Sequence, residues 1–219
     1  RTGFLNRAVL TTPGGEVTDD ACGPVPSATV SKTVQSVAPG VAGTYSIVYV
    51  VTATNNGAVD VPVEVRDEMQ YGEGMTIESA VVKELDGAAP HRPTWTGTGE
   101  NAVLSPDGFV LPAGETARYE VTVVAKLDVT TITVESADCV QVDQSTGTGF
   151  LNSATLNYHQ VSRRVVACEA APVVEITKIL DGTPTLTDGV WTVNYLLTVA
   201  NTGEVDTTFE LKDTPHYGA

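Results

Sequence analysis

The chain writes part of itself twice, without a gap. Asn6 recurs as Asn152, Cys22 as Cys168, Lys32 as Lys178 and Asp67 as Asp213, each pair 146 positions apart. Residues 1–73 superpose on 147–219, and 22 of those 73 positions are identical. A period this long is the size of one globular domain with its own core, whereas solenoid units run roughly 20–50 residues. The 219 residues are then one and a half periods, and both ends are expected to continue into something longer. The period divides the chain into the tail of one repeat at 1–26, a complete repeat at 27–172 and the head of a following repeat at 173–219. "CGPVPSA" and "CEAAPVV" mark the joints, and short proline-bearing joints stiffen a string of domains.

Each period reads as strands. Short runs rich in Val, Thr and Tyr are separated by Gly, Pro, Asn and Asp, and no segment holds a helical period. This pattern predicts an all-β chain of tandem Ig-like β-sandwich domains. Strands are expected near 28–36, 44–54, 59–67, 75–84, 92–97, 102–104, 108–111, 115–126, 130–137, 149–157 and 161–168. "NNG" at 55–57, repeated as "NTG" at 201–203, reads as a hairpin turn. A repeat of 146 residues exceeds the ~100 of a basic immunoglobulin sandwich, so an added hairpin or longer loops are expected.

Charge narrows the function. With 12 basic and 27 acidic residues the net charge is −15, which opposes binding to a nucleic-acid backbone. No apolar run approaches the ~20 residues of a membrane span. His91, His159 and His216 are scattered, with no metal-ligand spacing, and no calcium loop, P-loop or G-x-S-x-G elbow occurs. No cofactor is therefore implied, and a substrate-turning enzyme is poorly supported. Trp191 replaces Tyr45 of the complete repeat and reads as a core or interface aromatic; Trp95 reads as an exposed side chain, open to a carbohydrate contact.

The three cysteines make sense once the period is applied. Cys139 and Cys168 share a repeat, whereas the partner of Cys22 would fall upstream of Arg1. One disulfide, Cys139–Cys168, is expected, with Cys22 left unpaired; two free buried thiols are the alternative. A disulfide would place the protein outside the cytoplasm.

Side chains alternate between the two faces of a strand, so each strand can be read for what it buries. Lys32 shares a face with Ala28, Val30 and Val34, Asp67 with Val61, Val63, Val65 and Met69, and Asn152 with Phe150, Ala154 and Leu156. The partial repeats do the same: Lys178 falls with Val174, Ile176 and Leu180, Asp213 with Phe209 and Leu211, and Asn6 with Phe4, Ala8 and Leu10. Three kinds of inward polar residue, each written twice, are poorly explained as strand-end accidents.

An isolated buried charge is costly, so such groups pair, neutralise or react. Burial depresses a lysine pKa, and a neutral amine is a nucleophile. A carboxyl between amine and carboxamide can relay protons. The expectation is a self-made amide joining Lys32 to Asn152 with loss of ammonia, Asp67 serving as proton relay. The alternative is an unreacted Lys–Asp ion pair capped by Asn. A Lys32–Asn152 bond would close a loop of 120 residues, 152 − 32. By analogy with disulfides, such closure is worth about 4.7 kcal/mol for a ~100-residue loop. Pulling on the ends would then load a covalent bond.

The "SKTV" strand, the "NNGAVDVPVEVRDEM" segment and the "GFLNSATL" strand resemble the conserved-repeat domains of large bacterial surface proteins. These are Ig-like relatives of the isopeptide-forming domains in Gram-positive pilins and adhesins. The resemblance spans the whole period. It implies a lysine on the first strand, an asparagine or aspartate on the last and an acidic residue between, which here fall on Lys32, Asn152 and Asp67. It also implies an extracellular, bacterial cell-surface location and neighbouring repeats or fibre subunits as partners.

The leading function is a structural module of a stalk, fibre or sheath. The rival is an adhesin domain whose long loops at 85–108 recognise a host or environmental ligand. Tail and head together lack the central half of a repeat, so Asn6 and Lys178 are expected to stay unlinked unless neighbouring units supply the rest.

Overall fold

The computed structural model describes residues 3–86, 90–140 and 148–216. A hairpin of β1 (Phe4–Thr12) and β2 (Gly15–Gly23) comes first. Then follow β3 (Ala28–Pro39), β4 (Thr44–Asn55), the short β5 (Val61–Pro62), β6 (Glu64–Met69), β7 (Met75–Leu85), the short β8 (Val110–Leu111) and β9 (Thr116–Leu127). A single helical turn α1 (Val134–Ala137) precedes β10 (Asn152–Tyr158) and β11 (Val161–Ala167). The chain ends in β12 (Val174–Leu180), β13 (Thr185–Thr187), β14 (Val190–Thr192) and β15 (Tyr195–Asn201).

The protein is an all-β sandwich, as its sequence pattern predicts. One sheet has the order β3-β4-β9-β7 and the other β11-β10-β6, with every pairing antiparallel and a small β5-β8 ribbon beside them. The two central strands of the larger sheet alternate cleanly. Ile47, Tyr49, Val51 and Ala53 of β4, and Ala117, Tyr119, Val121, Val123 and Ala125 of β9, are buried between the sheets. They meet Val65, Ala154 and Leu156 of the facing sheet. Each large aliphatic side chain buried this way contributes about 1.5–3 kcal/mol. Where the sheets approach each other at one side, β3 lies against β10 and β11. A bulge between Val34 and Ser36 shifts the parity of β3, so that Val34 and Val37 both stay against the core.

Outside the span from Ala28 to Val173 most large apolar side chains among the described residues face solvent. Phe4, Leu10 and Val17 are exposed on the first hairpin, as are Ile176, Leu180, Phe209 and Leu211 toward the other end. The ladders nevertheless repeat. Asn6 lies opposite Ala21 as Asn152 lies opposite Ala167, and Lys178 opposite Leu197 as Lys32 opposite Val51.

Several expected elements differ. "NNG" at 55–57 does not close a hairpin: β4 belongs to the larger sheet, and the chain next joins β8 and β10, so this turn carries it across the sandwich. Buried Asn55 makes the crossing possible by donating to the Val59 and Leu111 carbonyls, both at 2.9 Å, and accepting from Gly57 N. Asn201 repeats the bond with Val205. Residues 92–97 form turns, and 102–104 supply only the bridge Arg66–Val103 after a 3-10 turn at Gly99–Ala102. The strand expected at 130–137 is instead α1, because Thr133 and Ser136 cap it reciprocally: the Thr133 hydroxyl accepts from Ser136 N at 3.2 Å and Ser136 Oγ accepts from Thr133 N at 3.0 Å.

Candidate functional site

Three strands deliver one polar group each to the same dry spot. Lys32 comes from β3 in the larger sheet, while Asp67 on β6 and Asn152 on β10 come from the smaller. Asp67 pairs with Ala154 and Asn152 with Met69, so the two polar residues are diagonal neighbours on one sheet face. Lys32 reaches them across the sandwich. The side chains of Lys32 and Asp67 are 0% exposed, and Asn152 is equally buried.

Asp67 is the hub. Lys32 Nζ donates to its Oδ2 and Asn152 Nδ2 donates to its Oδ1 at 3.0 Å. The Trp95 indole N–H donates to the Asp67 backbone carbonyl at 3.2 Å. Burial lowers the Lys32 pKa, with the Asp67 charge and hydrogen bond opposing that push. Asn152 Oδ1 is buried with no donor, and such an orphan costs about 1–3 kcal/mol. The side chains that reasoning from strand parity singled out in 27–172 thus form one hydrogen-bonded set spanning both sheets.

Around this set lies a ring of aromatic side chains that parity did not single out. Lys32 Nζ sits over the Tyr49 ring, 4.9 Å from its centre. The Tyr49 hydroxyl donates to the Phe150 carbonyl at 2.6 Å and lies 3.0 Å from the Tyr71 hydroxyl. Burial raises the pKa of both phenols. A sequence signal for them existed: Tyr49, Tyr71 and Phe150 are identical to Tyr195, Tyr217 and Phe4 one period away. Trp95 is also part of the core, at 6% exposure, which corrects its reading as an exposed carbohydrate contact. Trp191 is 64% exposed; of its two readings, core or interface aromatic, the core one does not hold.

The entry to β10 is fixed by Gly149. Its φ is +46°, and a Cβ there would stand 2.6 Å from the Asp138 carbonyl oxygen and 2.8 Å from that of Glu169. Next to it, Cys139 and Cys168 form a disulfide as expected, and Cys22 is free and exposed.

The partial repeats assemble less. Lys178 Nζ donates to Asp213 Oδ1 at 2.6 Å and lies 4.6 Å from the centre of the Tyr195 ring, but both charged side chains are exposed. Asn6 is exposed on β1, away from any lysine partner in its hydrogen bonds. The inward faces read for Asn6, Lys178 and Asp213 are therefore open faces here, because no opposing sheet covers them. Among the described residues, no group of three His, Cys, Asp or Glu could hold a metal ion, and no helix is long and apolar enough to cross a membrane.

No family model and no curated protein matches the chain. Among solved structures, it is similar to the major pilin subunit of Bacillus cereus, with 10% identity and a TM-score of 0.36, covering 90% of this chain and 66% of that one. A 35 kDa C-terminal fragment of the major pilin of Streptococcus agalactiae has 10% identity and a TM-score of 0.34, covering 70% and 58%. An exo-β-N-acetylglucosaminidase of Vibrio harveyi has 14% identity and a TM-score of 0.28, covering 73% and 21%. The chain spans less than two thirds of the length of each of these three structures.

Proposed function

We propose that residues 27–172 are one complete repeat of an extracellular structural protein, a stalk, fibre or sheath of a bacterial surface, and that the repeat locks itself with a Lys32–Asn152 isopeptide bond. The observation that carries this reading is the buried Lys32–Asp67–Asn152 set, which joins the first strand of the sandwich to the last sheet. Such a set is a poor way to gain stability as an ion pair, since the desolvation of two charges offsets most of their attraction. As the precursor of a covalent bond its cost is repaid in permanence.

The reaction balances with two residues that are each hydrogen-bonded to Asp67. A proton moves from Lys32 Nζ to Asp67 Oδ2 along their hydrogen bond, leaving a neutral amine whose formation burial favours. Nζ attacks Asn152 Cγ, and Asp67 hands its proton to Nδ2. The Cγ–Nδ2 bond breaks, ammonia leaves, and Asp67 takes up the second Nζ proton, so that a neutral Asp67 carboxyl and an Nζ–Cγ amide remain. The step occurs once per repeat, and no external substrate is turned over.

Two further features support a structural role over an adhesin role. The disulfide closes the same end of the sandwich from which β10 begins. Part of the segment read as a binding loop turns inward, with Trp95, Ala102, Leu104 and Ser105 buried, while Thr94, Thr98 and Glu100 stay exposed. Partners are then neighbouring repeats or fibre subunits.

Intact mass of the reduced protein tests the reading. A deficit of one ammonia, carried by a peptide that joins Lys32 to Asn152, is the expected result. A mass equal to that of the sequence rejects the bond and leaves the ion-pair alternative.

A further inference from the structure

Tyr49 touches one partner of the proposed bond and the backbone that leads into the other. Its ring lies beneath Lys32 Nζ, and its hydroxyl grips the Phe150 carbonyl, two residues before Asn152. Tyr49 has one hydroxyl proton. It goes to Phe150, so the Tyr71 hydroxyl is the donor in the 3.0 Å contact between the two phenols. Phe150 is further held by its ring, edge-on to Tyr71 at 5.5 Å and tilted against Tyr45 at 5.9 Å. Tyr49 sits at the centre of β4 in the larger sheet and is fully buried. It is the one side chain among these that fixes the amine and also the strand that carries the amide. The placement of Lys178 over Tyr195 shows the ring part of this arrangement forming again without the other sheet.

We infer that Tyr49 is a positioning residue for the cross-link, its ring seating the Lys32 amine and its hydroxyl setting the reach from β4 to the start of β10. This rests on the isopeptide reading. Bond formation needs the amine nitrogen at attack distance from Asn152 Cγ, and small misplacements of reacting atoms are costly.

The test follows ammonia loss by mass spectrometry during cell-free synthesis of the full chain and its variants, with folding checked by circular dichroism. Tyr49→Phe keeps the ring and loses the grip on Phe150; it is expected to link about tenfold more slowly, whereas Tyr71→Phe stays within about twofold of the wild type. Replacing Tyr49 by p-aminophenylalanine, which keeps a donor, is expected to restore the rate even if Tyr49→Phe folds poorly. The carbonyl carbon resonance of Phe150 should move in Tyr49→Phe and hold in Tyr71→Phe. Wild-type linking in Tyr49→Phe, or equal slowing in both Phe variants, overturns the inference while leaving the bond intact. A wild-type chain that never loses ammonia rejects the bond itself, and the positioning role falls with it.

Discussion

Lys32 and Lys178 are the same residue in the same ladder position, each donating to an aspartate and each seated over a tyrosine ring. They differ in cover: the Lys32 side chain is 0% exposed and that of Lys178 is 36% exposed. Local sequence therefore suffices to assemble the ion pair, and the closed sandwich alone removes the water. Since the depressed Lys32 pKa comes first from burial, the proposed bond would depend on the second sheet as much as on the three residues assigned to it.

Substitution of the two lysines tests this comparison most strongly. Lys32→Ala removes the proposed link, whose loop closure would be worth about 4.7 kcal/mol; in an unlinked parent it would instead leave Asp67 buried without its cation, a loss of roughly 3–5 kcal/mol. Chemical denaturation should show a large drop and mass spectrometry no ammonia deficit. Lys178→Ala should stay within about 0.5 kcal/mol of the parent, as exposed substitutions do. Equal losses from the two would mean that burial is not what separates the sites.

The cysteines sharpen the contrast at smaller magnitude. Cys139 and Cys168 are 29 residues apart, a loop for which closure is worth about 3–4 kcal/mol. Reduction should lower the denaturation midpoint accordingly, and Cys22→Ser, at an exposed and unpaired site, should leave it unchanged. If reduction has no effect, the end of the sandwich near Gly149 is held by its backbone bonds alone.

The smallest effect is in pH dependence. In an unlinked Asn152→Ala variant, Lys32 still titrates, and its folded pKa lies below the unfolded value of 10.5. The unfolded chain then binds more protons between those two values, so stability rises with pH through that window and is lost as pH falls through the folded pKa. A linked parent would have an amide there and lack this rise. Buried tyrosines titrate in both proteins; Tyr119, pushed up to about 12, costs each of them stability as pH climbs above 10. The difference between the two denaturation curves isolates Lys32, and parallel curves would show that the parent is not linked.

Strand parity made Lys32, Asp67 and Asn152 legible, because an alternating face fixes which residues point inward whatever their polarity. It could not show the groups reached from neighbouring strands. Tyr49 is inward on β4 like any core residue, and only the fold reveals that its hydroxyl meets Phe150, 101 positions away. Parity also failed where the backbone departs from a strand. The Thr133–Ser136 capping pair has Ser where the more familiar pattern has Glu or Gln, so α1 was hidden. Trp95 lies between turn residues, which reads as surface, but its indole follows the Asp67 carbonyl into the core.

One of the two edge strands of the larger sheet, β7, has one side with no strand beside it among the described residues. Its ladder is broken by an irregularity between Ile77 and Ser79, and it carries Glu78, Lys83 and Glu84. A kinked, charged rim is a poor template for another chain. On a molecule with net charge −15, crowding side by side would bring like charges together before hydrogen bonds could form. Molecules packed densely on one surface would thus stand apart as separate units and not fuse into a common sheet.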